Sequence, residues 1–133
     1  MIYNNTDQKL KLKINLMLWV DKVIDSICQL SEDHKKMVYA SCDRIINSYI
    51  TTFKVKQHFW KAVALSTIWL VIKAYCIDEE EDEWIDACYM SEFSQEVSRK
   101  QIITFERLIF QHLDFEVIGP EKRSQLNSCY KTE

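Results

Sequence analysis

Two charged side chains lie within apolar stretches of the chain. Lys73 is the only charged residue of residues 62–77 (AVALSTIWLVIKAYCI), and Glu106 lies inside residues 99–113 (RKQIITFERLIFQHL). A charge on a helix that is apolar on most faces must reach solvent, pair with an opposite charge or face a partner protein. One lysine and one glutamate in this setting indicate a shared interface, whose chemistry would be binding through charged hydrogen bonds.

Each charge also has a simpler explanation when it is taken alone. Lys73 can interact with the last carbonyl groups of its helix or extend its ammonium to water. Glu106 can form a salt bridge with Lys100 or with a basic group close to Arg107. It is the occurrence of both charges in similar settings that favours an interface.

Residue types that catalyse reactions or bind metals are present without the spacing that those functions need. No CxxC motif occurs, the histidines are isolated, and no Ser–His–Asp or Cys–His arrangement can be argued. We therefore expect no enzymatic activity, no cofactor and no structural zinc. The acidic run at residues 78–83 (DEEEDE) lacks glycine and alternating ligand spacing, which favours a solvated loop over a calcium site.

Composition indicates one all-α domain. The chain has 133 residues, 47% of them hydrophobic, and its one Gly and one Pro are adjacent at residues 119–120. Sheet proteins depend on Gly and Pro for their turns, so the scarcity of both favours helices.

A net charge of −3 without a basic stripe argues against a nucleic-acid partner. The longest uncharged apolar run, residues 62–72, is too short to span a membrane.

The cysteines and the N-terminal residues indicate the compartment. Five cysteines, an odd number, predict reduced thiols buried in an intracellular protein of the cytoplasm or nucleus. Residues 1–13 are polar and charged, so we expect no signal peptide. The sequence carries no signal of oligomeric state.

Hydrophobic periodicity and capping residues predict five helices, with the third at the centre. The helices are expected at residues 9–30, from 32 to 49 or 53, and at 62–77, 84–90 and 99–113. Ser31 is expected to cap the second helix, and Ser98 with Gln101 has the pattern of a capping box before the fifth. The chain is expected to divide into a disordered N-terminus, one domain and a polar tail, at residues 1–8, 9–120 and 121–133.

Four short motifs follow one another along these helices. They are residues 13–20 (KINLMLWV) in the first helix, 43–46 (DRII) in the second, 71–75 (VIKAY) in the third, and 105–110 (FERLIF) with 113–117 (LDFEV) in the fifth. In order and spacing they resemble the motifs of the cyclin box, the N-terminal five-helix repeat of the cyclins. The resemblance covers residues 13–120 and implies an all-α cyclin-box fold with a central third helix and without the second cyclin repeat.

The resemblance implies a regulatory subunit that binds and activates a cyclin-dependent kinase. In the family a lysine and a glutamate hydrogen-bond around the kinase's movable regulatory helix and hold it inward, so Lys73 and Glu106 are the implied activation pair. Phe110, Phe115 and Val117 are the implied apolar part of the same contact. The compact chain, rich in lysine and isoleucine, also resembles cyclin homologues of large DNA viruses, whose kinase partner would belong to the host.

The resemblance also implies an internal pair between the first two helices. Lys13 and Asp43 would form it, and Lys13 stands where the family has arginine, which predicts a weaker link because an ammonium is a single point donor. If the pair is buried, loss of Asp43 would cost about 3–5 kcal/mol. Ala62 and Ala74 depart from the family's leucine and aromatic residue, and the second change predicts a different choice of kinase.

The family's docking groove for arginine-x-leucine motifs is implied in an altered form. It would be built from five residues of the first helix: Leu12, Asn15, Leu16, Trp19 and Lys22. Leu12, Leu16 and Trp19 keep the apolar floor. Asn15 replaces an apolar residue and Lys22 an acidic one, so a cationic motif would meet a lysine, and we expect docking to be weak or lost.

Three other functions fit parts of the sequence. The same fold would serve a decoy that occupies a kinase without activating it, or a scaffold that binds no kinase. A nucleic-acid-bound, cyclin-like transcription factor would need two repeats and a basic face. A small helical interaction protein similar to Bcl-2 would fit the length, but the Asn-Trp-Gly-Arg motif of that family is missing.

Overall fold

The fold is a bundle of helices, seen in a computed structural model that describes residues 5–27, 30–75 and 86–114. Its α-helices are α1 (Asn5–Asp25), α2 (Glu32–Phe53), α3 (Trp60–Tyr75), α4 (Ala87–Ser91) and α5 (Arg99–His112), with a 3-10 turn at Gln57–Phe59. These three ranges contain no strand, which confirms the all-α prediction. The predicted acidic loop at 78–83 and polar tail at 121–133 lie outside the described residues.

Both predicted N-caps are present. The Ser31 hydroxyl accepts a hydrogen bond from the backbone N–H of His34 at 3.2 Å. At the start of α5, the Ser98 hydroxyl accepts from the Gln101 N–H at 3.1 Å, and the Gln101 side chain accepts from the Ser98 N–H at 3.0 Å. The capping box therefore fixes the first residue of α5, since it satisfies N–H groups that the helix itself leaves unpaired.

The first helix differs from its predicted bounds. The helix, Asn5–Asp25, begins four residues earlier and ends five residues earlier than the periodicity predicts. At its end the Ser26 and Ile27 N–H groups donate to the Val23 and Ile24 carbonyls at 3.1 Å, the i→i−3 pattern of a tightened last turn. Ile27 and Leu30 are nevertheless buried, so the apolar stripe of α1 continues beyond the helix.

Helix α3 occupies the centre of the bundle. Twelve of its sixteen residues are buried, and it contacts each of α1, α2, α4 and α5. The Ser41 hydroxyl of α2 donates to the Tyr75 hydroxyl at 3.0 Å, which joins the last turn of α3 to the neighbouring helix. The apolar composition of α3 is thus explained by burial on nearly every face, as predicted.

A serine joins α3 to α5 inside the core. The buried Ser66 hydroxyl lies 2.7 Å from the Ala62 carbonyl oxygen and 3.0 Å from the Ile102 carbonyl oxygen. Ala62 is also buried, so the two small side chains allow the first turn of α5 to approach α3 closely. The contact positions the start of α5, and the residues that follow along it, against α3.

The cap of α5 can be tested by substitution. Ser98→Ala is expected to lower the free energy of unfolding by about 1 kcal/mol, because it removes the acceptor for the Gln101 N–H. Ser98→Asp keeps an acceptor and should stay within about 0.5 kcal/mol of the wild type. Urea denaturation followed by far-UV circular dichroism measures both values. An equal loss in the two variants would contradict the role of the cap.

Candidate functional site

Lys73 and Glu106 form an ion pair at the edge of the bundle. The Lys73 Nζ lies 3.1 Å from the Glu106 Oε2, and the two side chains are 34% and 18% exposed. At this distance the contact is a charge-assisted hydrogen bond. Because both side chains are only partly exposed, they pack against the protein and still reach its surface. A partner protein could therefore contact both of them at the edge between α3 and α5.

The register of α5 directs Glu106 toward α3. Ile102, Glu106 and Ile109 recur at steps of four and three residues, so all three lie on one face of the helix. Both isoleucines are fully buried. The packing that turns them into the core therefore also turns the Glu106 carboxylate toward α3.

The register of α3 brings Lys73 to the same place. Ser66 and Lys73 are seven residues apart, so they share one face of α3. Ser66 contacts the Ile102 carbonyl, and Lys73 contacts Glu106 one turn further along α5. The two helices therefore meet at two levels, with a buried hydrogen bond at one and an ion pair at the other.

A tryptophan that sequence reasoning missed lies under the lysine. The Lys73 Nζ is 3.6 Å from the centroid of the Trp69 ring, close enough for a cation–π interaction. Trp69 precedes Lys73 by four residues on α3 and is half-buried. That spacing places the two side chains on neighbouring turns of one helix face, and it is the signal by which the pair could have been found.

The predicted apolar part of the site is described only in part. Phe110 follows Glu106 by four residues on α5 and is half-buried against the core. The other two predicted residues, Phe115 and Val117, lie outside the described residues. Of the predicted kinase-contact set, the structure therefore brings together Lys73 and Glu106 and places Phe110 one turn away.

A surface groove contains four of the five residues that were predicted to form the docking groove. A groove of about 330 Å³ is lined by Leu12, Asn15, Leu16, Trp19, Gln57, Trp60 and Lys61. Four of the five predicted residues belong to it, whereas Lys22 is absent from its lining. Its basic group is instead Lys61, whose Nζ lies 5.5 Å from the centroid of the Trp19 ring and 3.7 Å from the Glu96 carboxylate.

Lys13 and Asp43, the predicted internal pair, bond to other residues and not to each other. The Lys13 Nζ donates to the Thr51 hydroxyl at 3.1 Å, while the Asp43 carboxylate accepts from the Asn47 side chain at 2.8 Å. Asp43 is exposed, so the cost predicted for a buried pair does not apply. Lys13 still links α1 to α2, but through an acceptor two turns further along α2, because its long side chain reaches past the expected carboxylate.

An exposed apolar stripe of α1 was not singled out from the sequence. It consists of Leu10, Ile14 and Leu18, which are 56%, 52% and 59% exposed. The three residues are spaced four apart beside the buried stripe, and this spacing is the signal that marks them. A contiguous exposed apolar stripe of this kind is typical of an interaction surface.

The described cysteines and possible metal ligands are dispersed. Cys42 is buried and Cys88 is exposed, and both are free thiols, so the prediction of buried thiols is wrong for Cys88. Within residues 5–27, 30–75 and 86–114 no group of three or more His, Cys, Asp or Glu side chains is arranged to hold a metal ion. In the same ranges no helix combines the length and apolarity needed to cross a bilayer.

Comparison of the chain with protein-family models, with curated proteins and with solved structures finds no significant match.

Proposed function

We propose that the chain is a cyclin-like regulatory subunit that binds and activates a cyclin-dependent kinase through the surface around Lys73 and Glu106. The observation that supports this most is their 3.1 Å ion pair, formed between neighbouring helices and partly open to solvent. The two residues stand where the cyclin-box resemblance implies the activation pair. The order of the helices and the central position of α3 support the same proposal.

The pair has unused hydrogen-bonding capacity for a partner. An ammonium carries three N–H donors and a carboxylate two oxygens, so one mutual bond leaves donors and an acceptor on the pair. Because each side chain already has the other as a partner, association requires less ordering of the two groups, which lowers the entropic cost. Such a pair suits recognition of backbone groups exposed at the end of a helix.

Activation would follow from a preference for one state of the kinase. Moving a kinase from 1:99 to 99:1 in favour of its active state requires about 5.5 kcal/mol of differential binding. The few hot-spot residues of an interface each cost about 2 kcal/mol or more when they are truncated to alanine. As hot spots, Lys73, Glu106 and Phe110 would be sufficient in number to supply that difference.

The experiment is a titration of the purified chain into a panel of purified monomeric cyclin-dependent kinases. The expected result is a saturable rise in phosphorylation of a peptide substrate by at least one kinase. The absence of both binding and activation across the panel would overturn the proposal.

A decoy that occupies the kinase without activating it is the second candidate. Ala74 is exposed next to Lys73, where the family has an aromatic residue, so the contact has less apolar area at this point. A smaller contact could leave enough affinity for binding and too little for the shift to the active state. Stable binding without increased phosphorylation in the same titration would select this function.

Docking of arginine-x-leucine peptides in the groove is expected to be weak. Lys61 lines the groove and Lys22 is exposed on the same helix as Trp19, so both oppose a cationic peptide. Fluorescence anisotropy with a labelled peptide should give no saturation at about 1 mM. Lys61→Ala combined with Lys22→Glu should strengthen binding at least about tenfold. Tight binding to the wild type would contradict the altered groove.

A further inference from the structure

We infer that Trp69 is a positioning residue for the proposed kinase contact, holding the Lys73 ammonium beside Glu106 in the arrangement that a partner meets. The inference rests on the proposed function and adds to it a residue that neither the cyclin-box motifs nor the apolar pattern singled out. Its basis is the geometry of three side chains at the surface between α3 and α5.

The Lys73 ammonium is held by two different kinds of contact. Its Nζ lies 3.6 Å from the centroid of the Trp69 ring and 3.1 Å from the Glu106 Oε2. A lysine side chain has a flexible four-carbon stem, and a single surface ion pair rarely fixes it. The ring and the carboxylate together restrict the ammonium to one position, with the remaining donor capacity available to a partner.

Hydrogen bonding of the indole does not explain why a tryptophan stands at this position. The Trp69 Nε1 is buried and has no acceptor among the described residues, an arrangement that costs free energy. Trp60 on the same helix differs, because its Nε1 donates to the Val55 carbonyl at 2.9 Å. Trp69 therefore acts through its ring, which packs against the core and presents to Lys73 the aromatic face that binds a cation most favourably.

Immobilisation of Lys73 has a consequence for affinity. A free lysine loses much of its rotamer entropy when a partner fixes it, and this loss weakens binding. When Trp69 and Glu106 fix the side chain beforehand, that loss does not recur on association. Removal of the ring should therefore weaken kinase binding even though the Trp69 indole nitrogen is not accessible to a partner.

The test compares Trp69→Leu with Trp69→Phe in the full chain. Calorimetric titration with the kinase is expected to show binding weakened about fivefold to thirtyfold by Trp69→Leu and about threefold or less by Trp69→Phe, which keeps an aromatic face. Thermal denaturation should show at most a small loss of stability in Trp69→Phe, since removal of a donor that lacks an acceptor offsets part of the packing lost with the smaller ring. Phe93→Leu is the control, because Phe93 is also a half-buried aromatic residue but packs against Tyr89, outside the proposed contact; it should bind like the wild type.

Two further measurements separate positioning from a structural role. In the free wild-type chain the protons on Cε of Lys73 should be shifted upfield by the ring current of Trp69, and the shift should disappear in Trp69→Leu. In a Lys73→Ala background Trp69→Leu should weaken kinase binding no further.

Three results would overturn the inference while leaving the proposed function in place. They are Lys73 Cε protons without an upfield shift, an equal loss of affinity from Trp69→Leu in the Lys73→Ala background, and wild-type affinity in Trp69→Leu itself. A wild-type chain that binds no kinase would overturn the proposed function, and with it the role of Trp69 in that binding.

Discussion

The double substitution Lys73→Ala with Glu106→Ala is expected to abolish kinase activation while the helical fold stays intact. Both side chains are partly exposed, and an ion pair of this kind contributes about 1 kcal/mol or less to stability. Their proposed contribution to differential binding is several times larger, so activation should fall to the level of the kinase alone. Phosphorylation of a peptide substrate measures activation, and far-UV circular dichroism with thermal denaturation measures the fold.

A second ion pair supplies the matched control. Lys61 on α3 lies 3.7 Å from Glu96, which precedes α5, so the pair has the same residue types and links the same part of the fold. The variant Lys61→Ala with Glu96→Ala should activate the kinase like the wild type. Normal activation by the Lys73 and Glu106 double variant would reject the proposed site.

The largest expected effect on stability is that of Ile102→Ala. Ile102 is fully buried in the first turn of α5, and its carbonyl oxygen lies 3.0 Å from the Ser66 hydroxyl. Removal of three carbons at such a position leaves a cavity and typically costs about 2–5 kcal/mol. Ile102 packs α5 against α3, so its truncation should let Glu106 move away from Lys73. We therefore also expect the upfield shift of the Lys73 protons to weaken in this variant.

The neighbouring Ile103 provides the control for this substitution. Ile103 is only half-buried, so Ile103→Ala should cost about 1 kcal/mol, well below the cost at Ile102. Urea denaturation followed by circular dichroism gives both values. Equal costs at the two positions would show that α5 does not pack on α3 through the face that carries Glu106.

Local signals in the sequence predicted the helices well. Ser31 and Ser98 are caps in the structure, since a cap depends on residues within three positions of itself. The burial of α3 followed from its composition, because a helix without a polar face has no stable position at the surface. The end of α1 was misplaced because the apolar stripe continues through Ile27 and Leu30 after the helix has stopped.

Contacts between distant residues were predictable only where a motif carried them. The cyclin-box resemblance implied that Lys73 and Glu106 lie close together at the surface, but the direct ion pair between them was not predicted. Lys13 was assigned the wrong acceptor, because the reach of a lysine covers several turns of the adjacent helix. The lysine of the groove comes from α3 rather than α1, since the groove forms only after Lys61 and Trp19 are brought together by packing.

A crystal structure of the chain bound to its kinase tests the proposed contact most directly. In the complex we expect Lys73 Nζ and a Glu106 carboxylate oxygen each to lie about 3 Å from polar atoms of the kinase's movable regulatory helix. A complex in which the kinase occupies another face, with Lys73 and Glu106 open to solvent, would contradict this expectation.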